Sequence, residues 1–409
     1  MTGFFLSLLI ILIPLTHLSF MPNEMMGIPG NNPVNFIWII AFVLIYAQNG
    51  KQQAPTSRYF RPAFIALIIA YTVAALWTAL DIKSLHPTLA SQQYTIVGFL
   101  LSFLFKPAQI IITGLMVYKY CLIKDSKHIE NAASFIPLLI LPFMLYYFYL
   151  GSGGGINYSL GRGLISRNTG LDANEIGGLS TIILAYNLGK AKQQFTKLDF
   201  ISMGSSLLVI VFSLSRMSFI ATLLIFLFTL KKLTLKQKTT AISLLVIVIM
   251  AFTPMLLSRI NYGITDRPDT RSKSQNRDIN ANELSAGRVD YIWKPALHMI
   301  EAHPVLGDGL ISIWKGEYIV TRKIKKPIHP HNAYLQIALD MGFVGILILI
   351  FLLRSMWATA KQNSGFRYVL ITWLLMGLTG FTFYPDIFNL PIWVYYAITC
   401  AKPRDQALA

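Results

Sequence analysis

The sequence predicts an all-α polytopic membrane protein with about twelve transmembrane helices and one long polar loop that contains amphipathic helices. Apolar residues make up 54% of the 409 residues and charged residues only 13%, a composition typical of proteins with many membrane spans. Apolar runs long enough to cross a bilayer recur from one end of the chain to the other. The placement of Lys and Arg between these runs then sets their orientation.

The predicted spans alternate across the membrane according to the positive-inside rule. The link between the first two spans contains no Lys or Arg, whereas the next link contains Lys51, Arg58 and Arg61. The N-terminus is therefore expected in the cytoplasm, with no cleavable signal after the first apolar run, and the C-terminus is expected on the same side. The spans cover about 3–20, 34–47, 63–80, 106–122, 135–150, 174–188, two short spans within 200–230, 239–257, 333–353, 368–383 and 389–401.

This plan divides the chain into three parts. Residues 1–257 hold spans one to nine, residues 258–332 form the long outer loop, and residues 333–409 hold spans ten to twelve and a cytoplasmic tail. The loop contains twelve Lys and Arg against eight Asp and Glu, and the whole chain has a net charge of +17. An anionic partner at the outer membrane surface is indicated, and no nucleic-acid partner is predicted.

The apolar stretch 94–123 has two interpretations, which the sequence leaves open. It is too long for one simple span, and Lys106-Pro107 interrupts it. Pro107 suits the first turn of a helix, so one interpretation has a span at about 106–122 preceded by an interfacial or re-entrant piece. The other has one long tilted helix with Lys106 inside it, although a lysine at depth costs about 2.5–3.5 kcal/mol.

The second half of the long loop predicts an amphipathic helix that lies on the bundle at the membrane surface. Ser285 is its expected N-cap, and Arg288 lies in its first turn on the polar side, together with Tyr291 and His298. Pro295 predicts a kink. A first-turn arginine beside free helix amides can bind phosphate, although a solvated arginine on an interfacial helix is the alternative. The apolar stripe consists of Val289, Ile292, Trp293, Ala296, Leu297 and Ile300.

A histidine pair, HPHN at 329–332, stands immediately before an apolar span. Pro330 restrains His329 to an extended conformation, and His331 or Asn332 is expected to cap the following helix. A histidine fixed at this point suits a general base, because its unperturbed pKa is near 6.5. A metal site is not predicted, since no third ligand with suitable spacing follows the HxH pattern. A purely structural cap is the alternative.

Arg216 is the one charged residue between Asp199 and Lys231. Lysines at both ends of the run 200–230 place both ends inside, so Arg216 is expected on a tight turn at the outer surface. An arginine at the membrane edge is a functional candidate, with a snorkelling side chain as the alternative.

Four motifs in order resemble the O-antigen ligase superfamily of bacterial inner-membrane enzymes, which includes O-antigen polymerases and protein O-oligosaccharyltransferases. The resemblance covers about 160–345, in the order typical of that superfamily. It implies functional roles for Arg216, Arg288 and His331, and for Arg167 or Arg162 in an earlier outer loop. The motifs are SLSR at 213–216, GRVDYIWKPA at 287–296, HPVLGDG at 303–309 and HNAYLQIALDMGFVG at 331–345.

The resemblance implies an O-antigen ligase in lipopolysaccharide biosynthesis, at the bacterial inner membrane with a periplasmic active site. Such an enzyme moves O-antigen from undecaprenyl pyrophosphate to a sugar hydroxyl of lipid A–core, inverts the anomeric centre, and needs neither a metal nor another cofactor. His331 would be the base, and Arg216 and Arg288 would hold the pyrophosphate. Further substrate-binding candidates are Arg162, Arg167, Asn174, His329, Lys106, Tyr291, His298 and Asn332. Membrane lipids complete the expected partners.

Two other functions compete with the ligase. An O-antigen polymerase would use the same donor with a second lipid-linked glycan as acceptor, and the motifs do not separate the two. A transporter of anionic lipids or solutes would use the arginines for binding without catalysis. The sequence shows no internal repeat of the kind typical of inverted-repeat transporters, which disfavours this class.

Overall fold

A computed structural model describes the greater part of the chain. The described residues are 1–15, 24–25, 28–29, 33–48, 58–80, 101–152, 173–190, 196–213, 215–231, 235, 239, 242, 246, 250, 253, 292–310, 330–378, 382–385 and 387–401.

Helices dominate the described residues, and the one β-ladder among them is an antiparallel pair of two-residue strands, β1 Glu24–Met25 and β2 Ile28–Pro29. Short non-α turns cover Ile13–Leu15, Leu101–Phe105 and Ile387–Asn389. The helices are α1 Thr2–Leu12, α2 Pro33–Gln48, α3 Pro62–Leu80, α4 Lys106–Ile123, α5 Lys127–Ser152, α6 Ala173–Gly189, α7 Lys197–Ser213, α8 Arg216–Leu230, α9 Lys294–Ala302, α10 Ala333–Ala360, α11 Ser364–Gly377 and α12 Leu390–Ala401.

Apart from this short strand pair, the regular structure of the described residues is helical, and its long apolar helices suit a membrane protein, as the sequence predicts. Within the described residues, three helical segments are long and apolar enough to cross a membrane: Pro62–Leu80, Lys127–Tyr146 and Ala333–Ala360. Shorter apolar helices accompany them, including Arg216–Leu230 and Leu390–Ala401. The count of twelve spans and the three-part division of the chain stay predictions.

Several helices begin and end close to the predicted spans. α3 matches the span predicted at 63–80, and α6 matches the span predicted at 174–188. The run 200–230 is divided at the SLSR motif into α7 and α8, as the two-span interpretation requires. α5 differs, because it begins at Lys127, eight residues before the predicted span at 135–150. The polar first turns of α5 are helical although their composition does not mark them as membrane.

One end of the bundle is held together by a buried charge cluster. The ammonium group of Lys190, just after α6, lies 3.0 Å from Glu130 of α5 and 3.6 Å from Asp199 of α7. The Ser364 hydroxyl at the start of α11 donates to the carbonyl of Gly189 at 2.5 Å. These contacts bring four helix ends together, and we call this the Lys190 end.

The opposite end of the bundle carries the SLSR turn. A Cβ atom added to Gly177, in the second turn of α6, would lie 2.5 Å from the Ser213 hydroxyl and 2.8 Å from the Ser218 hydroxyl. The turn between α7 and α8 therefore packs closely on the start of α6. We call this the Arg216 end, after the first residue of α8.

α10 begins at the Arg216 end. The Tyr334 hydroxyl, in its first turn, donates to the carbonyl of Leu374 at 2.9 Å. Leu374 lies in the last turn of α11, which starts at the Lys190 end, so Tyr334 must lie at the opposite end. The long loop before α10 therefore reaches the bundle on the same side as Arg216.

α12 forms the centre of the helical core. All twelve of its residues, Leu390–Ala401, are buried. The ring of Tyr395 stacks on that of Tyr186 in α6 at 3.7 Å between centroids, and Trp393 lies 5.7 Å from Trp373 of α11. A helix that is apolar on all sides belongs in the interior of a bundle, and this one gives the surrounding helices a common packing partner.

Candidate functional site

The helix cap before α10 is made by Asn332. Its side-chain oxygen accepts hydrogen bonds from the backbone N–H groups of Tyr334 at 3.0 Å and Leu335 at 3.1 Å. This satisfies two of the amide groups that the first turn of a helix leaves without an internal partner. Capping therefore accounts for Asn332 and does not account for His331.

His331 has an unusual backbone conformation. Its φ angle is +49°, and it is the one non-glycine residue with a positive φ in the part of the chain that the structure describes. Its side chain is half-buried. Residues held in this disfavoured region tend to cluster at functional sites, because the surrounding structure must impose the conformation.

The amphipathic helix α9 packs along the first part of α10. Ala296 and Met299 form its buried side and contact Leu339. His298 lies on the exposed side, 3.9 Å from the carboxylate of Glu301. Pro295 lies in the first turn of α9, and the residues before Ile292 lie outside the described part, so the expected kink at Pro295 stays a prediction.

The start of α9 is attached to the segment that carries His331. The indole N–H of Trp293 donates to the carbonyl of Pro330 at 3.0 Å. Pro330 precedes His331 directly, so this bond ties the amphipathic helix to the histidine motif. The apolar spacing predicts only a packed position for Trp293 and gives no sign of this hydrogen bond.

The other end of α9 enters the HPVLGDG turn, which docks into a kink of α10. Gly342 interrupts α10 with φ +60° and ψ −154°. The amides of Phe343 and Val344 then donate to the carbonyls of Pro304 at 2.7 Å and Val305 at 3.2 Å. The interrupted helix and the turn thus satisfy each other's backbone groups.

The pairing between the turn and the kink also runs in the opposite direction. The amide of Asp308 donates to the carbonyl of Leu339 at 2.8 Å, and that of Gly309 donates to the carbonyl of Asp340 at 3.0 Å. The backbones of residues 304–309 and 339–344 therefore form hydrogen bonds in both directions, although neither segment is a β-strand. We call this contact the α10 joint.

Two glycines make the α10 joint possible. A Cβ atom on Gly342 would lie 2.5 Å from the carbonyl carbon of Val305, and one on Gly307 would lie 2.5 Å from the carbonyl oxygen of Leu339. Both glycines also have positive φ. Because these neighbours are backbone atoms that cannot turn away, the motif requires glycine at both positions.

Two buried carboxylates lie at the α10 joint. His303 Nδ1 is 2.6 Å from Asp308 Oδ1, and the hydroxyl of Tyr384 donates to Asp340 Oδ2 at 3.0 Å. Burial, and then the charge of Asp340, raise the pKa of Tyr384, which keeps its hydroxyl protonated as a donor. The HPVLGDG motif marks a turn in the sequence, but its spacing does not reveal these partners.

Arg216 begins α8 and is exposed at the turn. The preceding Ser215 caps the helix, since its hydroxyl accepts from the amide of Ser218 at 3.4 Å. Asn174 lies in the first turn of α6, on which this turn packs. Arg216 and Asn174 therefore lie at the same end of the bundle as His331 and Asn332.

Lys106 is exposed at the start of α4. α4 ends at Ile123, close in sequence to the start of α5 at the Lys190 end, so Lys106 lies toward the Arg216 end. The helical turn Leu101–Phe105 runs directly into α4, and residues 94–100 lie outside the described part. Both interpretations of the stretch before Lys106 therefore stay open.

Five of the predicted site residues lie outside the described residues: Arg162, Arg167, Arg288, Tyr291 and His329. Ser285, the expected N-cap of the amphipathic helix, lies outside them as well. Across the part of the chain that the structure does describe, no group of three His, Cys, Asp or Glu side chains is placed to hold a metal ion.

The fold and the site together define a polytopic helical membrane protein that brings an arginine, an asparagine and a histidine to one end of its bundle. The sequence model of the O-antigen ligase family matches residues 201–350 of the chain. The resemblance to the O-antigen ligase superfamily is thereby confirmed, and members of this family are glycosyltransferase-like enzymes that act on lipid-linked polysaccharides. No curated protein matches the chain.

The matched segment includes the residues on which the site depends. It runs from α7 into α10 and contains Arg216, the α10 joint and His331, together with the position of Arg288. Lys106, Asn174 and the earlier arginines at 162 and 167 lie before it.

Proposed function

We propose that this protein is an O-antigen ligase of the bacterial inner membrane, with both termini in the cytoplasm and its active site on the periplasmic side. The observation that carries the proposal is the backbone conformation and the position of His331. Asn332 makes the helix cap, yet His331 is held half-buried with positive φ at the same end of the bundle as Arg216. A histidine that is not needed as a cap suits the role of general base.

Arg216 suits the pyrophosphate of the donor. Its guanidinium group stands at the N-terminus of α8, where the helix dipole favours an anion, and arginine forms paired hydrogen bonds with phosphate oxygens. α8 packs against α11, which packs against α10. At about 8–10 Å between neighbouring helix axes, α8 and α10 are within about 20 Å of each other. One lipid-linked glycan can reach both ends of this gap.

Arg288 is proposed as the second pyrophosphate-binding arginine. It precedes Trp293 by five residues, and five residues extend over at most about 18 Å. Since Trp293 is bonded to the carbonyl of Pro330, this short reach supports the proposal that Arg288 acts at the same site as His331. Arg162 or Arg167 would assist, and Lys106, Asn174, Tyr291, His298 and His329 are proposed as glycan or headgroup contacts.

The proposed reaction is a direct displacement. His331 takes the proton of a sugar hydroxyl of lipid A–core while the hydroxyl oxygen attacks the anomeric carbon of the donor glycan. The bond from that carbon to the pyrophosphate oxygen breaks, and undecaprenyl pyrophosphate leaves with the electron pair. Attack opposite the leaving group inverts the anomeric centre, and the arginines stabilise the charge that develops. Pyrophosphate is a good leaving group, so no cofactor is required.

The direct test is glycan transfer by purified, reconstituted enzyme. His331→Ala is expected to lower the transfer rate by about 10²- to 10⁴-fold, the usual contribution of a general base. Arg354→Ala is the matched control for loss of an exposed charge, because Arg354 is exposed on the part of α10 beyond Gly342 from His331. Transfer at the wild-type rate by His331→Ala would remove the histidine from the mechanism.

The choice of acceptor separates the ligase from its rivals. Lipid A–core and a second lipid-linked glycan are supplied in turn to the wild-type enzyme. Transfer to lipid A–core supports the ligase, and elongation of the lipid-linked glycan indicates a polymerase. Movement of the donor across vesicles without a new glycosidic bond indicates a transporter and contradicts the proposed chemistry.

A further inference from the structure

We infer that α9 is a brace that sets the conformation of His331, with Trp293 as its positioning residue. The inference rests on the proposed role of His331 as the base. It assigns a task in the reaction to a side chain that touches neither the reacting atoms nor the pyrophosphate.

The brace is attached at both ends to the same helix-bearing segment. At its start, Trp293 donates to the carbonyl of Pro330. At its end, Pro304 and Val305 accept from the amides that follow Gly342 in α10. α9 therefore runs beside the first part of α10, in the same direction, with one fixed point before α10 and one at its kink.

The lengths of the two segments agree. α9, Lys294–Ala302, has nine residues, and so does the part of α10 before the kink, Ala333–Met341. At 1.5 Å per residue each is about 14 Å long. Between the fixed points, Ala296 and Met299 are buried against Leu339. A helix that is packed along its length and bonded at both ends cannot slide along its neighbour.

The start of the brace acts on the backbone of His331. The carbonyl of Pro330 belongs to the peptide group whose nitrogen is that of His331, so the Trp293 bond fixes this peptide plane. On the other side, Asn332 is fixed by its two bonds to the first turn of α10. The φ and ψ angles of His331 are the two rotations between these fixed groups, and φ is +49°.

The positive φ of His331 needs such support. A histidine outside glycine-rich turns relaxes readily to negative φ, which would turn its side chain by a large angle. The bond from Trp293 opposes this relaxation from one side and the Asn332 cap opposes it from the other. Loss of the Trp293 bond is therefore expected to misplace the imidazole while the donor site at Arg216, on another helix, stays intact.

The experiment compares two tryptophan-to-phenylalanine changes in the full-length reconstituted enzyme. Trp293→Phe keeps an aromatic ring and removes the indole N–H. Trp38→Phe is the matched control, because Trp38 is also half-buried and donates at 3.1 Å, to Thr113 between α2 and α4. Trp293→Phe is expected to lower kcat by about 10- to 100-fold, since a small misplacement of a catalytic group has this effect. KM for the donor is expected to stay within about twofold, and Trp38→Phe to leave both constants unchanged.

The double variant separates positioning from general loss of structure. In the His331→Ala background, Trp293→Phe is expected to have no further effect on the residual rate, because it acts through the imidazole. If Trp293→Phe lowers that residual rate as much as it lowers the wild-type rate, or if its kcat equals that of Trp38→Phe, the brace is wrong. If His331→Ala itself is as active as the wild type, the proposed function fails first, so the two failures are distinct.

Discussion

At the Lys190 end, the protein pairs its own charges. The Lys190 ammonium lies within 4 Å of both Glu130 and Asp199, and all three side chains are largely buried. At the Arg216 end, the guanidinium group is exposed at a helix N-terminus, and no acidic side chain among the described residues forms an ion pair with it. One end therefore satisfies its cation internally, and the other presents a cation to a partner from outside. The comparison separates a charge that stabilises the fold from an exposed one, which the proposal assigns to the anionic donor.

The largest effect is expected from a substitution that disrupts the α10 joint. Gly342→Ala would place a methyl group 2.5 Å from the backbone of Val305 and force alanine into a positive φ. The variant is expected to lose transfer activity, and its free energy of unfolding is expected to fall by about 3 kcal/mol. Gly204→Ala in α7 is the control, because a Cβ there meets no atom within 4 Å. Thermal unfolding and transfer are measured for both. Equal behaviour of the two variants would mean that the kink does not need glycine.

The second prediction removes the two positive charges in turn, one in each variant. Arg216→Gln is expected to lower kcat/KM by about 10²-fold without loss of stability, since it removes a donor to the developing charge. Lys190→Gln is expected to do the opposite. It should lower the free energy of unfolding by about 2 kcal/mol, because Glu130 and Asp199 keep their buried charges, and leave kcat of the folded enzyme unchanged. Chemical denaturation and transfer kinetics on both variants check the pair, and a kinetic defect in the folded Lys190→Gln enzyme would erase the distinction between the ends.

A smaller effect sharpens the role of Arg216. Arg216→Lys keeps the positive charge but loses the planar pair of donors, so a decrease in kcat/KM of about tenfold is expected. The result should lie between those of the wild type and Arg216→Gln. If lysine restores the full rate, the site reads charge alone and paired hydrogen bonds to the phosphate have no part in it.

The smallest effect concerns the cap before α10. Asn332→Ala is expected to lower the free energy of unfolding by about 1 kcal/mol, because two amides in the first turn lose their acceptor. Asn332→Asp keeps an acceptor and is expected to retain most of that stability. Thermal denaturation of both variants decides the point. A cap at His331 instead would leave Asn332→Ala as stable as the wild type.

The sequence predicts much of the bundle, because membrane spans are long apolar runs with clear limits. The division between α7 and α8 follows from one polar interruption, and the exposed position of Arg216 follows from the lysines on either side. The sequence also places His331 and Asn332 immediately before α10. It could not decide which of them makes the cap, since both have side chains that can accept a hydrogen bond.

No pattern in the sequence predicts the α10 joint. The apolar run continues past Gly342, with Asp340 as the one charged residue beside it, so periodicity predicts an uninterrupted span there. The partners of the kink come from residues 304–309, more than thirty positions earlier, and they pair through backbone groups that no side-chain pattern reports. Spacing likewise predicts only that Trp293 lies on the apolar face of its helix, because a helical period gives the face of a residue and says nothing about a single N–H group.

The central claim is that the Arg216 end holds the donor pyrophosphate beside His331. A structure of the reconstituted enzyme with a donor analogue that cannot be transferred tests it most directly. The account predicts phosphate density within about 3 Å of the Arg216 guanidinium nitrogens, the distance of a charge-assisted hydrogen bond, with the anomeric carbon on the side of His331. Pyrophosphate bound at the Lys190 end, or on a face of the bundle that neither Arg216 nor His331 reaches, would contradict it.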